Sequence, residues 1–206
     1  MARLAIFVDG GYITKLGAHE FSVWTDLGRL SEEIRLAVAA KAPEPVDLLR
    51  TYYYDCLPYQ GNPPTADEAQ RMGQRRTFFD ALRRLPRYTV REGRLMFRGL
   101  DARGEPIFQQ KRVDLLLGLD FALLSGKRQV THAAVVSGDS DLIPAFEVAR
   151  EEGILVWLIH GPKVSKVDGK STYAQELWDA ADERLLLTQD LMNRVARPPR
   201  PPRARG

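Results

Sequence analysis

The chain has 206 residues, of which 44% are hydrophobic and 28% charged, proportions that are ordinary for a globular protein of one domain. Its single cysteine, Cys56, excludes an internal disulfide and a cysteine-based zinc site, which favours a reducing, cytoplasmic location. No apolar run approaches the roughly 20 residues of a membrane-spanning helix. The sequence therefore predicts a protein without a membrane partner.

The formal net charge is only +3, but the basic residues are concentrated in two segments. Basic residues far outnumber acids between Arg71 and Arg112, and the stretch from Arg194 to the C-terminus contains arginine and proline but no acid. The rest of the chain is acidic in balance. This distribution indicates a polyanionic partner near an acidic site, and a solvated helix face is the alternative interpretation.

Hydrophobic periodicity and turn residues predict alternating strands and helices. In chain order, the predicted elements are a strand at Leu4–Val8, a helix at Thr25–Ala40, a strand at Val46–Tyr54, a basic helix at Thr65–Leu85, a hairpin or two short strands at Tyr88–Arg91 and Leu95–Arg98, a buried helix at Val113–Leu124, a strand at Val130–Val136, a helix at Ile143–Glu152, a strand at Ile154–Ile159, and helices at Tyr173–Ala181 and Gln189–Val195. Such alternation implies an α/β fold with a mostly parallel sheet between two helical layers. We expect this domain over residues 1–190, followed by a basic Pro/Arg-rich tail at 191–206 that lacks regular structure.

Acidic side chains follow two of the predicted strands. Asp9 ends the first strand, and Asp139 and Asp141 come directly after the strand Val130–Val136. Because sites in parallel sheets form at the carboxyl ends of strands, we expect these acids to meet at one edge. Ser137 either orients a carboxylate or phosphate there or simply ends the strand. Helix capping is the alternative role for Asp9 and for one acid of the Asp139/Asp141 pair.

Two further acids lie in the apolar segment Val113–Leu124. Asp114 opens this predicted helix, where an anion also suits the helix dipole. Asp120 lies six residues later, and an unpaired carboxylate in such surroundings would be costly.

Carboxylates gathered at one place repel each other unless a cation compensates them. Oxygen ligands suit Mg²⁺ or Mn²⁺, and such ions activate water and neutralise phosphoryl groups. A phosphatase or phosphoacceptor domain also carries aspartates at strand ends. The phosphatase version usually needs a second aspartate two residues after the first, where this chain has Gly11.

Three segments, Phe7–Tyr12 (FVDGGY), Lys111–Asp114 (KRVD) and Val136–Leu142 (VSGDSDL), resemble the NYN-domain proteins, a branch of the PIN-like nuclease superfamily. The resemblance spans roughly Arg3 to Leu187 and leaves out the tail. It implies a three-layer α/β/α sandwich of the PIN-like or Rossmann-like kind and, for members that are enzymes, metal-dependent ribonuclease activity. It also implies a catalytic metal site made of Asp9, Asp114, Asp139 and Asp141, with Asp120 and Ser137 as accessory residues.

Two functional hypotheses follow. The first is an endoribonuclease that hydrolyses single-stranded or structured RNA with an aspartate-bound Mg²⁺ or Mn²⁺. The second is a non-catalytic RNA-binding or regulatory module on the same fold, whose Pro/Arg tail can reach a protein partner. The oligomeric state stays open, with a homodimer among the alternatives. The expected RNA contacts are Arg71, Arg75, Arg76, Arg83, Arg84, Lys111 and Arg112, and the aromatic side chains open to either base stacking or packing are Tyr52, Tyr53, Tyr54 and Tyr59.

Overall fold

The computed structural model describes residues 1–101 and 106–197. The predicted tail lies outside these residues from Pro198 onward. The strands are β1 (Ala2–Asp9), β2 (Val46–Cys56), β3 (Tyr88–Leu100), β4 (Pro106–Lys111), β5 (His132–Val136), β6 (Leu155–His160) and β7 (Glu183–Leu186). The α-helices are α1 (Gly10–Leu16), α2 (Leu27–Lys41), α3 (Ala66–Arg83), α4 (Val113–Gly126), α5 (Ile143–Glu151), α6 (Gln175–Ala180) and α7 (Gln189–Arg194), with a π-helical turn at Gly17–Phe21 and a 3₁₀ turn at Ser140–Leu142.

The strands form one sheet in the order β4-β3-β2-β1-β5-β6-β7. Every neighbouring pair is parallel except β3 and β4, which pair antiparallel at one edge. The order runs outward from β1 to β3 on one side and from β5 to β7 on the other. The strand order therefore reverses between β1 and β5, where open α/β sheets place their binding crevices.

Helices cover both faces of the sheet. Strand β1 sends Leu4, Ile6 and Val8 into the core under α1, α2, α3 and α7. It sends Ala5 and Phe7 into the opposite core under α4, α5 and α6, because successive strand side chains point to opposite faces. These two cores confirm the predicted three-layer α/β/α architecture.

The β3–β4 region differs from the sequence prediction. A single strand continues through Glu92-Gly93-Arg94, where a hairpin or a break was expected, and its antiparallel partner is β4. The segment Tyr88–Gly93 continues to pair with β2 there. The chain turns back only after Leu100.

The sequence predicts a buried helix at Val113–Leu124, but α4 is buried on one side only. Val113, Leu117 and Phe121 are buried, but Leu115 and Leu119 are 63% and 51% exposed. The reason is geometric: α4 belongs to an outer layer, so only one side of it can contact the sheet.

The C-terminal helix belongs to the folded body. Leu191 and Met192 of α7 are buried in the core, and the Arg197 N–H donates to the Trp24 carbonyl at 2.7 Å. The expected domain boundary at residue 190 thus falls inside α7. None of the helices within the described ranges is long and apolar enough to cross a membrane.

Candidate functional site

The two central strands bring Asp9 and Asp139 to the same edge of the sheet. Strands β1 and β5 are parallel neighbours with Val8 opposite Val136, so the residues that follow each strand emerge side by side. An open cleft of about 380 Å³ lies at this edge. Its lining includes Asp9, Tyr12, Lys15, Asp139, Ser140 and Thr172.

Asp9 links the end of β1 to the start of α1. It is the N-cap of α1, and its Oδ1 accepts a hydrogen bond from the Tyr12 N–H at 3.1 Å. Burial, with smaller contributions from the carboxylates of Asp114 and Asp55, raises the pKa of Asp9 to about 6. The ionised carboxylate is therefore held in unfavourable surroundings.

Asp114, in the first turn of α4, connects the two sides of the cleft electrostatically. Partial desolvation and then the negative charges of Asp139 and Asp141 raise its pKa, and its own charge acts on Asp9. Asp114 is thus coupled electrostatically to Asp9 on one side and to Asp139 and Asp141 on the other.

The turn after β5 has a tightly defined backbone. Asp139 caps the 3₁₀ turn, with its Oδ1 accepting the Asp141 N–H at 3.0 Å, while the Asp139 N–H donates to the buried Ser137 hydroxyl at 3.3 Å. A Cβ atom at Gly138 would lie 2.8 Å from a ring carbon of Tyr12. Only glycine fits here, because a side chain would clash with the Thr172 carbonyl oxygen before α6 and with the Tyr12 ring.

The donor set fits a hard divalent cation in its chemistry. Carboxylate oxygens are the ligands that Mg²⁺ and Mn²⁺ prefer, and the raised pKa values of Asp9 and Asp114 express a charge excess that a cation would relieve. Within residues 1–101 and 106–197, however, no group of three or more His, Cys, Asp or Glu side chains is close enough to hold an ion. The carboxylates converge without closing into a coordination shell.

Asp120 is not brought to this cleft. Arg91 binds it with two hydrogen bonds, from Nε to Oδ2 at 2.8 Å and from Nη2 to Oδ1 at 3.0 Å, and the Tyr54 hydroxyl donates to it at 3.0 Å. These partners satisfy the carboxylate beside β2 and β3.

Sequence reasoning missed one acid, Asp55 at the end of β2. Its side chain is 5% exposed, and its Oδ2 accepts hydrogen bonds from the Tyr53 hydroxyl and from Arg75 Nη1, both at 2.9 Å. The Cys56 N–H donates to its Oδ1 at 2.7 Å. Asp55 follows the predicted strand Val46–Tyr54 just as Asp9 follows the predicted strand Leu4–Val8, so the strand-end rule would have found it there.

Three of the seven predicted RNA contacts are engaged within the protein. Arg71 pairs with Asp67 at 2.9 Å, Arg75 pairs with Asp55, and Arg83 pairs with Asp80 at 2.9 Å and also with Glu92.

The remaining predicted contacts differ in position. Arg76 and Arg84 are exposed and form no salt bridge with a described residue. Helix α3 runs from the carboxyl end of β2 to the amino end of β3. Arg84, at its C-terminal end, is therefore distant from the acids. Arg112 is exposed immediately before α4, beside Asp114. The side chain of Lys111 lies outside the described part of the structure.

The tyrosines predicted for stacking or packing are packed. Tyr53 and Tyr54 are fully buried. Tyr52 stacks on Phe7 with ring centroids 5.4 Å apart, and Tyr59 contacts the ring of Phe97 at 5.9 Å. Tyr53 and Tyr54 therefore have no surface to offer a nucleic-acid base.

Comparison with known proteins supports the resemblance seen in the sequence. No curated protein matches the chain at a significant level. The model of the NYN domain matches residues 3–186, a range that contains β2 through β7, all of β1 except Ala2, and the acids Asp9, Asp114, Asp139 and Asp141. The chain therefore belongs to the NYN-domain family, a branch of the PIN-like nuclease superfamily whose members are generally nucleases.

Proposed function

We propose that the protein is a metal-dependent endoribonuclease that hydrolyses RNA phosphodiester bonds at the cleft between Asp9 and Asp139. The observation that supports this proposal is that Asp9 and Asp139 line one cleft at the edge where the strand order reverses, while the charge of Asp114 acts on Asp9 and the charges of Asp139 and Asp141 act on Asp114. A cluster of mutually repelling carboxylates lowers stability, so its presence favours a role in chemistry over a role in folding.

The four aspartates would hold Mg²⁺ or Mn²⁺, with Asp9 and Asp139 as direct ligands and Asp114 and Asp141 ligating directly or through water. When bound, the ion supplies charge neutralisation at the phosphoryl group and a lowered pKa for a water nucleophile. Asp9 is ionised at neutral pH, because its raised pKa of about 6 still lies below 7. Its N-cap hydrogen bond fixes the carboxylate toward the cleft. In-line attack by water on phosphorus would leave a 5′-phosphate and a 3′-hydroxyl.

The test is cleavage of end-labelled single-stranded RNA with Mn²⁺ or Mg²⁺, with a chelator in a parallel reaction. Asp139→Asn keeps the size of the side chain and removes its charge, so we expect cleavage to fall by about 100-fold or more. Asp190→Asn, an exposed acid in α7, is the matched control and should cleave like the parent.

Two results would contradict the proposal. Cleavage by Asp139→Asn at the parent's rate would show that the site is elsewhere. RNA binding that persists in chelator, with no cleavage under either metal, would favour the non-catalytic module instead.

A further inference from the structure

An ordered basic loop borders the cleft on the side of β6. This loop, residues 161–172 between β6 and α6, is called the lysine loop here because it carries Lys163, Lys166 and Lys170. Val164 and Ser171 form a β-bridge across it, and the Ser165 N–H donates to the Lys170 carbonyl at 2.8 Å. The loop therefore has a defined hairpin-like shape.

Two anchors fix the lysine loop to the body of the protein. Glu20, in the π-helical turn after α1, is only 6% exposed, and it accepts the Lys166 N–H at 2.9 Å and the Ser165 hydroxyl. At the other end, the Tyr12 hydroxyl accepts the Gly161 N–H at 3.0 Å. Because a buried carboxylate is costly without partners, these bonds to Glu20 hold the loop in place.

The lysine loop also contacts the turn that carries Asp139. The Ala174 N–H, just after the loop, donates to the Gly138 carbonyl at 2.9 Å, and Thr172 lines the cleft. Lys15 of α1 lines the cleft as well. The Lys170 N–H bonded to Asp168 lowers the pKa of that carboxyl most, and the charges of Lys170 and Lys15 lower it further. Lys15 thus brings a positive charge to the cleft that Asp9 and Asp139 line.

These lysines are available in a way that three of the arginines of α3 are not. Lys15, Lys163 and Lys170 are exposed and form no salt bridge with a described residue. Arg71, Arg75 and Arg83, by contrast, are paired with carboxylates of the protein itself. A phosphate would have to displace those partners.

We propose that the lysine loop together with Lys15 forms the phosphate-binding rim that holds the backbone of single-stranded RNA against the cleft. The inference rests on RNA being the substrate under the proposed function. The acids repel the phosphates of an approaching strand, so cations beside them are needed to compensate. Lysine supplies point charges that bind phosphates without reading sequence.

The test measures binding by fluorescence anisotropy, with a labelled single-stranded RNA and the full chain in chelator so that no cleavage occurs. Lys15→Gln/Lys163→Gln/Lys170→Gln should raise Kd at least about tenfold and reduce the slope of log Kd against log salt by about 2, since each phosphate contact contributes roughly 0.7. Replacement of the same lysines by arginine should retain binding, which separates loss of charge from loss of structure.

The matched control removes the same amount of charge away from the cleft. Arg29→Gln/Lys127→Gln/Arg128→Gln should change Kd less than about twofold, because none of these exposed residues lines the cleft. Equal weakening by both triple variants would overturn the inference, since net charge alone would then explain it. A larger loss with Arg76→Gln/Arg84→Gln would overturn it in favour of α3.

Failure of this inference is distinguishable from failure of the proposed function. A parent that binds RNA through these lysines but never cleaves it contradicts the ribonuclease proposal and supports the rim. A parent that cleaves RNA while the triple lysine variant keeps the same Kd and kcat/KM overturns the rim alone.

Discussion

Replacing Asp9 by asparagine tests how much the buried charge of Asp9 lowers the stability of the folded protein, independently of any role in catalysis. Burial first, then Asp114 and Asp55, raise the pKa of Asp9 from 3.8 to about 6. The ionised carboxylate is therefore less favourable in the folded protein than in the unfolded chain. Asparagine retains an oxygen that can accept the Tyr12 N–H bond, which is 3.1 Å long in the parent, but it carries no charge.

The size of the effect follows from proton linkage. A shift of about two pKa units corresponds to about 3 kcal/mol, at 1.36 kcal/mol per unit. Between pH 3.8 and about 6 the folded protein retains a proton that the unfolded chain releases, so this contribution to stability is lost as the pH rises. Asp9→Asn should exceed the parent's free energy of unfolding by up to about 3 kcal/mol at pH 7–8 and match it near pH 4.

Thermal unfolding in chelator across this pH range measures the difference. For a domain of this size we expect the Tm of Asp9→Asn to be about 6–10 °C higher at pH 7–8. Asp26→Asn is the matched control, because Asp26 caps α2 in the same way by accepting the Arg29 N–H at 3.0 Å and is not among the converging acids. Lower stability of Asp9→Asn at pH 7–8, or a gain that persists unchanged at pH 4, would refute the reasoning.

Two substitutions near Asp9, at Gly10 and at Arg75, should lower the free energy of unfolding. A Cβ atom in Gly10→Ala would lie 2.5 Å from the Tyr53 ring, so the free energy of unfolding should fall by about 2–3 kcal/mol in chemical denaturation. Arg75→Gln would leave the buried Asp55 carboxylate without its cation. Because Arg75 itself is 33% exposed, we expect a loss of about 2–3 kcal/mol, somewhat below that of a fully buried pair, measured in the same way.

Helix α3 offers a control for each of these changes. Gly73→Ala places a Cβ that meets nothing within 4 Å and should stabilise the helix by about 0.5–1 kcal/mol. Arg71→Gln breaks an exposed pair with Asp67 and should cost less than about 1 kcal/mol. Equal effects at Gly10 and Gly73, or at Arg75 and Arg71, would contradict the role assigned to burial.

The sequence predicts correctly those features of the candidate site that follow from the order and direction of the strands. Alternating apolar strands and helices imply a parallel sheet, and the strand-end rule then predicts that Asp9 and Asp139 share an edge, as they do. Asp120 is a different case: the family resemblance implies an accessory role at the site, but its carboxylate is bound by Arg91, which is 29 residues away in the chain. That contact exists because α4 packs against β2 and β3.

The sequence also does not reveal which arginines are paired within the folded protein. A run of basic residues indicates a positive surface, but the pairing of Arg75 with Asp55 arises because α3 packs over the end of β2. The position of the lysine loop could not be predicted from the sequence either. Its anchor, Glu20, is 146 residues from Lys166, so no local pattern could indicate that the loop is fixed beside the cleft.

The central position of β1 has a consequence for synthesis of the chain. Asp9 emerges first, but its neighbours at the edge arrive only with the start of α4 and with the turn after β5, which must insert beside β1. A chain released or stalled before residue 139 therefore carries one acid of the pair without the other. The acidic edge can therefore assemble only after β5 and the turn that follows it have been synthesised.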